Sequence, residues 1–242
     1  MNETIQGLLE RKSVRVFTDE SVSNEMKTQL LECAAAAPTA GNQQLYTILD
    51  ITDQTLKDTL AVTCDNQPFI AKAPVVLIFC ADANKWYQGF QHFGCEPRMP
   101  GEGDLMLAVC DAVIAAQNVV TAAHSLGLGA CYIGDIMERC EEHRAILKLP
   151  KYVFPVAMLV VGWPTQQQKD RRKPERQPLS MVVRENAYAP FAKDELARLL
   201  EPAAGQEQSV EERFQAFCAR KYNSGFSREM TRSVEEYLRD FR

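Results

Sequence analysis

Over residues 3–12 the apolar side chains Ile5, Leu8 and Leu9 recur at three- and four-residue intervals, which predicts a short amphipathic helix. Ser23 stands as an N-cap before MKTQLLECAAAA, and Pro38 ends the helix that follows. Segments 46–51 and 74–80 read as strands, with a helix starting near Thr55 between them. The second strand is apolar without interruption, so it belongs in a sheet covered on both faces. Residues 104–126 are apolar nearly all the way round and end at Gly127, a C′ glycine. They predict a helix about 33 Å long. Such a helix belongs in a core or at a subunit interface, and Ala115 and Val119 are expected to be sensitive interface positions. A strand-like stretch over 127–134, a helix over 138–148 and a buried strand over 153–161 follow. Residues 201–208 read as a linker, and 209–242 carry two amphipathic helical patterns broken near 223–227. Helices mixed with about four strands, without regular βαβ alternation, predict α+β or α/β layering.

Composition narrows the chemistry. In 242 residues, 32 acidic side chains exceed 27 basic ones, a poor balance for non-specific nucleic-acid binding. The apolar runs 73–81 and 153–163 are shorter than the roughly 20 residues that span a bilayer. The N-terminal stretch lacks the layout of a signal peptide, so a cytoplasmic location without membrane attachment is expected. None of the eight cysteines forms a CxxC pair and most sit in apolar stretches, which predicts reduced, buried thiols. With three histidines, and only His92 near a cysteine, no zinc site is expected. Gly127-x-Gly129 is followed by Tyr132 where a dinucleotide fingerprint needs glycine, and neither a P-loop nor a GxSxG elbow occurs.

Two basic stretches remain. One is Arg11-Lys12-Ser13-Val14-Arg15, and the other places Lys169, Arg171, Arg172, Lys173 and Arg176 against Asp170 and Glu175. Each alone reads as a solvated charge run. Together they suit a phosphate monoester, for which Arg and Ser are apt donors. Four segments now fall in order: RKSVRVF at 11–17, APTAGNQQ at 37–44, GLGACYIG at 127–134 and KPERQP at 173–178. In this order, over roughly 1–190, they resemble the FMN-dependent nitroreductase family (NAD(P)H nitroreductase and flavin reductase type).

The resemblance implies an α+β fold, a three-layer α/β/α arrangement around a central mixed sheet of four to five strands. It implies an FMN-binding domain over 1–200 with a helical extension over 201–242, and a homodimer. FMN would be held non-covalently, with NAD(P)H as electron donor, and hydride would pass through flavin N5 to nitroaromatic, quinone or flavin-type acceptors by a ping-pong mechanism. No side chain need be catalytic. Carried onto this sequence, the FMN contacts are Arg11, Lys12, Ser13 and Arg15; Pro38, Thr39, Asn42 and Gln44; Gln67, otherwise a plain loop glutamine; Tyr132, Ile133 and Gly134; and Lys173 with Arg176. Glu175 interrupts the simpler Lys-Pro-Arg pattern of many relatives, so Arg171 and Arg172 remain alternatives to Arg176. Two other functions stay open: a specialised acceptor, as in dehalogenation or biosynthetic dehydrogenation, and an FMN-binding or storage module without turnover.

Residues 86–99 read as a cap over the flavin, rich in aromatics. Trp86, Phe90 and Phe93 have the spacing of a core-facing helix stripe. That leaves Tyr87, His92 and Arg98 as candidates for touching an acceptor or a pyridine nucleotide.

Overall fold

The computed structural model describes residues 2–200 and 208–242, so the expected linker lies, Gln208 apart, outside the described residues. Two compact units emerge: Met1–Lys173 with Met230–Arg242, and Pro174–Glu229. The division expected at 200/201 lies at the edge of the residues that are not described.

Local chemistry starts the helices of the first unit. The Asn2 side chain accepts the Ile5 N–H (2.9 Å) at α1 (Glu3–Glu10), and Ser23 accepts the Met26 N–H (3.2 Å) at α2 (Asn24–Ala35). Asp53 does the same for Leu56 (2.7 Å) at α3 (Gln54–Thr63). Each cap satisfies a backbone donor that the helix itself cannot. β1 (Tyr46–Asp50) precedes α3, and α4 (Phe69–Lys72), β2 (Val75–Asp82), α5 (Asn84–His92) and α6 (Glu102–Ser125) follow it. β3 (Gly129–Ile133), α7 (Cys140–Ile146), β4 (Val153–Gly162) and α8 (Gln166–Asp170) complete the run.

The four strands form one sheet in the order β1-β2-β4-β3, with every neighbouring pair antiparallel. Val160 lies at its centre, opposite Val76 on one side and Cys131 on the other. Pro155 is tolerated because it lies beyond the stretch of β4 that pairs with β3 and beside the shift in the β2–β4 register between Phe79 and Cys80. Parallel pairing enters through one bridge, Ser13 to Ala130, which lays the N-terminal basic stretch along the edge of β3. Every residue of β2 and β4 is buried, so both faces of the sheet are covered.

α6 packs against all four strands. Its length and apolar composition match those of a membrane span, yet Leu105, Ala108, Ala112, Ala115, Ala116 and Val119 are buried inside this unit, as in a core helix. This corrects the expectation for Ala115 and Val119. Both face the chain's own core, because the small residues of α6 turn toward the sheet and larger ones turn outward. Met106, Leu107, Val113 and Ile114 are the exposed apolar residues of that helix. The stripe expected on α5 is also corrected: Phe93 is 84% exposed, and Trp86 and Phe90 are 39% and 40% exposed. α5 is attached by contacts other than a buried apolar stripe. Asp82 accepts the N–H groups of Asn84 and Lys85 (3.0 and 3.1 Å), and Tyr87 packs edge-on against Tyr152 (5.5 Å).

The chain's last residues close the first unit. Tyr237 and Phe241 are buried, Tyr237 edge-on to Phe154 (4.9 Å), and Asp240 pairs with Arg144 (2.7 Å). The second unit contains α9 (Lys193–Ala197), α10 (Val210–Lys221) and the start of α11 (Gly225–Leu238). Within it Arg184 pairs with Glu195 (3.2 Å) and lies over the Phe191 ring (4.0 Å).

Candidate active site

The two basic stretches meet. Lys12 Nζ donates to the backbone carbonyls of Lys169 (2.6 Å) and Arg171. Arg171 donates back to the Ser13 carbonyl, and Lys173 Nζ to the Leu9 carbonyl. Val14 locks the junction from below. Its N–H bonds to the Ala130 carbonyl (3.0 Å), and a Cβ added at Gly129 would fall within 2.6–2.8 Å of the Val14 side chain. Only glycine allows that approach.

Arg11, Ser13 and Arg15 share one neighbourhood around Cys131. Burial pushes this thiol's pKa up, while the Arg15 and Arg11 charges and hydrogen bonding from Ser13 and Arg15 oppose the rise. Arg11 also lies beside Tyr132, whose phenol burial pushes up to about 12 against the pull of that charge. A cavity of about 400 Å³ opens at the junction, lined by Arg11, Lys12, Gly129, Ala130 and Lys169. Ser13 and Arg15 lie with Arg11 beside Cys131, and Lys173 is anchored at Leu9. The Glu10 carboxylate lines the cavity along with Arg11, Lys12 and Lys169. Guanidinium, ammonium and hydroxyl groups of this kind are the donors that suit a phosphate monoester. Arg176 lies in the second unit and is exposed.

The 38–45 loop is held from three sides. Gly41, Asn42 and Gln44 all take left-handed backbone (φ 57°, 57° and 50°), a run that needs outside support. The buried carboxylate of Asp111, on α6, accepts the N–H groups of Ala40 (2.9 Å) and Leu45 (3.1 Å), clasping both ends of the turn. Thr39 Oγ1 accepts the Gln44 N–H (2.7 Å), and Gln44 Nε2 donates to the Ala35 carbonyl (3.1 Å). Trp86 Nε1 donates to the Gln43 carbonyl (2.8 Å). Asp111 was missed in the sequence reading, although a lone acid within an apolar helix signals a buried polar job. Pro38 immediately precedes this turn, between the end of α2 and Thr39.

Tyr132, Ile133 and Gly134 lie where β3 runs into a 3-10 turn, Asp135–Met137. Gln67 Nε2 donates to the Cys64 carbonyl (2.8 Å), so its amide nitrogen is engaged within its own loop. Tyr87 and Arg98 line a separate cavity of about 510 Å³ with Gln43, Phe90 and Asp104; His92 does not. Arg98 grips Asp104 with both guanidinium nitrogens (2.5 and 2.9 Å), which holds that carboxyl below its usual pKa range. His92 lies edge-on to Phe93 (5.1 Å).

Comparison with known proteins fits this geometry. Residues 8–163 match the nitroreductase family. An oxygen-insensitive NADPH nitroreductase of Salmonella typhimurium is 37% identical over 205 residues, covering 84% of this chain and 82% of that protein. An FMN reductase [NAD(P)H] of Bacillus subtilis is 33% identical over 240 residues, 98% of this chain and 91% of its own. Among solved structures, the NfrA1 nitroreductase of B. subtilis superposes with a TM-score of 0.82 at 28% identity over 98% of both chains. By sequence and by fold, the chain belongs to the nitroreductase family.

Proposed function

We propose that this chain binds FMN at the junction of its two basic stretches and passes reducing equivalents from NAD(P)H to a nitroaromatic, quinone or flavin-type acceptor. It is an FMN-dependent, NAD(P)H-driven oxidoreductase. One observation carries the assignment of the site: segments 9–13 and 169–173, far apart in sequence, are tied together by Lys12, Arg171 and Lys173. Guanidinium, ammonium and hydroxyl groups brought together from distant points of the chain are the donors that a phosphate monoester takes.

When bound, FMN would supply the redox chemistry, the transfer of hydride between a nicotinamide and a second substrate. The protein's own part is to bind and orient. Arg11, Ser13, Arg15 and Lys173 hold the phosphate, while Lys12 fixes the 169–171 backbone that carries the opposite arm. Thr39, Asn42 and Gln44 present the 38–45 loop to the ribityl chain, in the shape that Asp111 imposes. The Tyr132–Gly134 backbone flanks the ring. Tyr87 and Arg98 line a second cavity suited to a flat acceptor or a nucleotide.

The working form is a homodimer. Met106, Leu107, Val113 and Ile114 on α6, with Ile5, Leu8 and Leu9 on α1, leave apolar surface that a second copy would cover. Purified chain reconstituted with FMN should be yellow, hold one FMN per chain and consume NAD(P)H when nitrofurazone or menadione is added. Protein that stays colourless after reconstitution, or that holds FMN without consuming NAD(P)H, would overturn the assignment.

A further inference from the structure

Two segments expected to meet the flavin ring, the 64–67 loop and the end of β3 at 133–134, are joined through a residue that neither contains. His143, on α7, is wholly buried. Its Nδ1 lies 3.0 Å from the Ile136 carbonyl oxygen, in the turn that leaves Gly134. A carbonyl only accepts, so Nδ1 carries the proton and Nε2 is left as an acceptor. Nε2 takes the hydroxyl hydrogen of Thr63, 2.8 Å away at the end of α3, and Cys64 Sγ lies 3.9 Å from the same nitrogen. Short links complete the connection at both ends. The Cys64 carbonyl accepts Gln67 Nε2–H (2.8 Å), and the Gly134 carbonyl accepts the Met137 N–H (3.0 Å). Burial lowers the imidazole's pKa and keeps the ring neutral, which is the form both hydrogen bonds require.

We propose that His143 is a positioning residue for the flavin ring: by bonding Thr63 and Ile136 at once, it fixes Gln67 relative to Gly134 and so sets where the ring of bound FMN lies. The proposal rests on the FMN reading above. His143 is sealed in the core and acts through the two segments it joins.

The test uses the full-length chain freed of flavin, with FMN and riboflavin titrated separately well below each variant's melting temperature. Thr63→Val keeps the side chain's shape and removes only the hydrogen bond to Nε2. His143→Leu removes both bonds, and His143→Asn retains a donor near Ile136. Because the effect is on the ring and not the phosphate, Thr63→Val should weaken FMN and riboflavin by the same factor, about five- to tenfold. It should also alter the visible circular dichroism of the bound flavin. His143→Leu should do so more strongly, and His143→Asn should recover part of the loss. Variants that melt earlier yet bind both flavins with wild-type affinity and spectrum would overturn the proposal, as would a loss confined to FMN. Wild-type chain that binds neither flavin would instead remove the FMN reading, and the proposal with it.

Discussion

Arg11, Ser13 and Arg15 belong to a stretch that touches β3 through the bridge from Ser13 to Ala130. The basic character of RKSVR was legible in the sequence, and the structure gathers Arg11, Ser13 and Arg15 around Cys131. What Lys12 does was not legible. Its partners are backbone carbonyls of Lys169 and Arg171, and a carbonyl carries no side-chain signature in sequence. Arg11→Ala should weaken FMN binding about ten- to hundredfold, the loss of one charge-assisted hydrogen bond to phosphate. Lys173→Ala should behave alike, while riboflavin affinity changes little in both, as flavin fluorescence titrations will show.

His143 also carries a pH dependence with a definite sign. Burial lowers its pKa below the ordinary 6.5, whereas the unfolded chain takes up a proton near that value. Below about pH 6.5 the unfolded state therefore binds more protons, and stability falls by up to about 1.4 kcal/mol per pH unit until the folded-state pKa is reached. The groups around the ring are the Cys64 thiol from α3, Asp135 and Glu138 at the turn, and Arg139 and Glu142 at the start of α7. Urea midpoints at pH 5.5 and pH 7.5 should differ more in the wild type than in His143→Asn. Equal differences would assign the acid sensitivity to those carboxylates.

At the scale of the element, α6 shows where periodicity stops informing. An all-round apolar pattern establishes a long buried helix, but it does not say which residues face the chain's own sheet and which face another molecule. The answer runs against side-chain size: Ala115 is wholly buried and Ile114 is exposed. Ala115→Glu places a charge among apolar neighbours and should cost several kcal/mol or prevent folding, on the order expected for an unpaired buried charge. Ile114→Glu should leave the melting temperature of the isolated chain nearly unchanged while shifting sedimentation from dimer to monomer and reducing flavin retention. A dimeric Ile114→Glu variant would place the interface elsewhere. The continuous apolar run of β2 was legible as a strand covered on both faces, and that of β4 as a buried strand, because a run without polar positions leaves no face for solvent. The aromatic stripe of α5 misled because three aromatics at helical spacing look the same whether they meet a core or remain exposed. Here the indole N–H of Trp86 ties α5 to the 38–45 loop.

Across the whole molecule, the return of residues 230–242 to the first unit was hidden from the sequence. The amphipathic pattern of 209–242 does not say where its apolar face docks, and only the fold shows Tyr237 packed on Phe154 and Phe241 on Tyr152. The order of the four motifs, by contrast, was a whole-chain signal, and family membership follows it.

The bonds tying 9–13 to 169–173 span sequence separations of 157 to 164 residues. Contacts this remote carry a high loop-closure cost and form late relative to local structure. On refolding from urea, far-UV ellipticity should therefore return before quenching of flavin fluorescence, and simultaneous recovery would contradict that order. The same separation bears on synthesis at the ribosome. A nascent chain that has emerged only as far as Gly162 already contains all four strands, yet lacks the carbonyls that Lys12 needs and the lysine that reaches Leu9. On the FMN site proposed above, a chain ending at Gly162 should therefore bind FMN far more weakly than one that reaches Lys173, however well its sheet has formed.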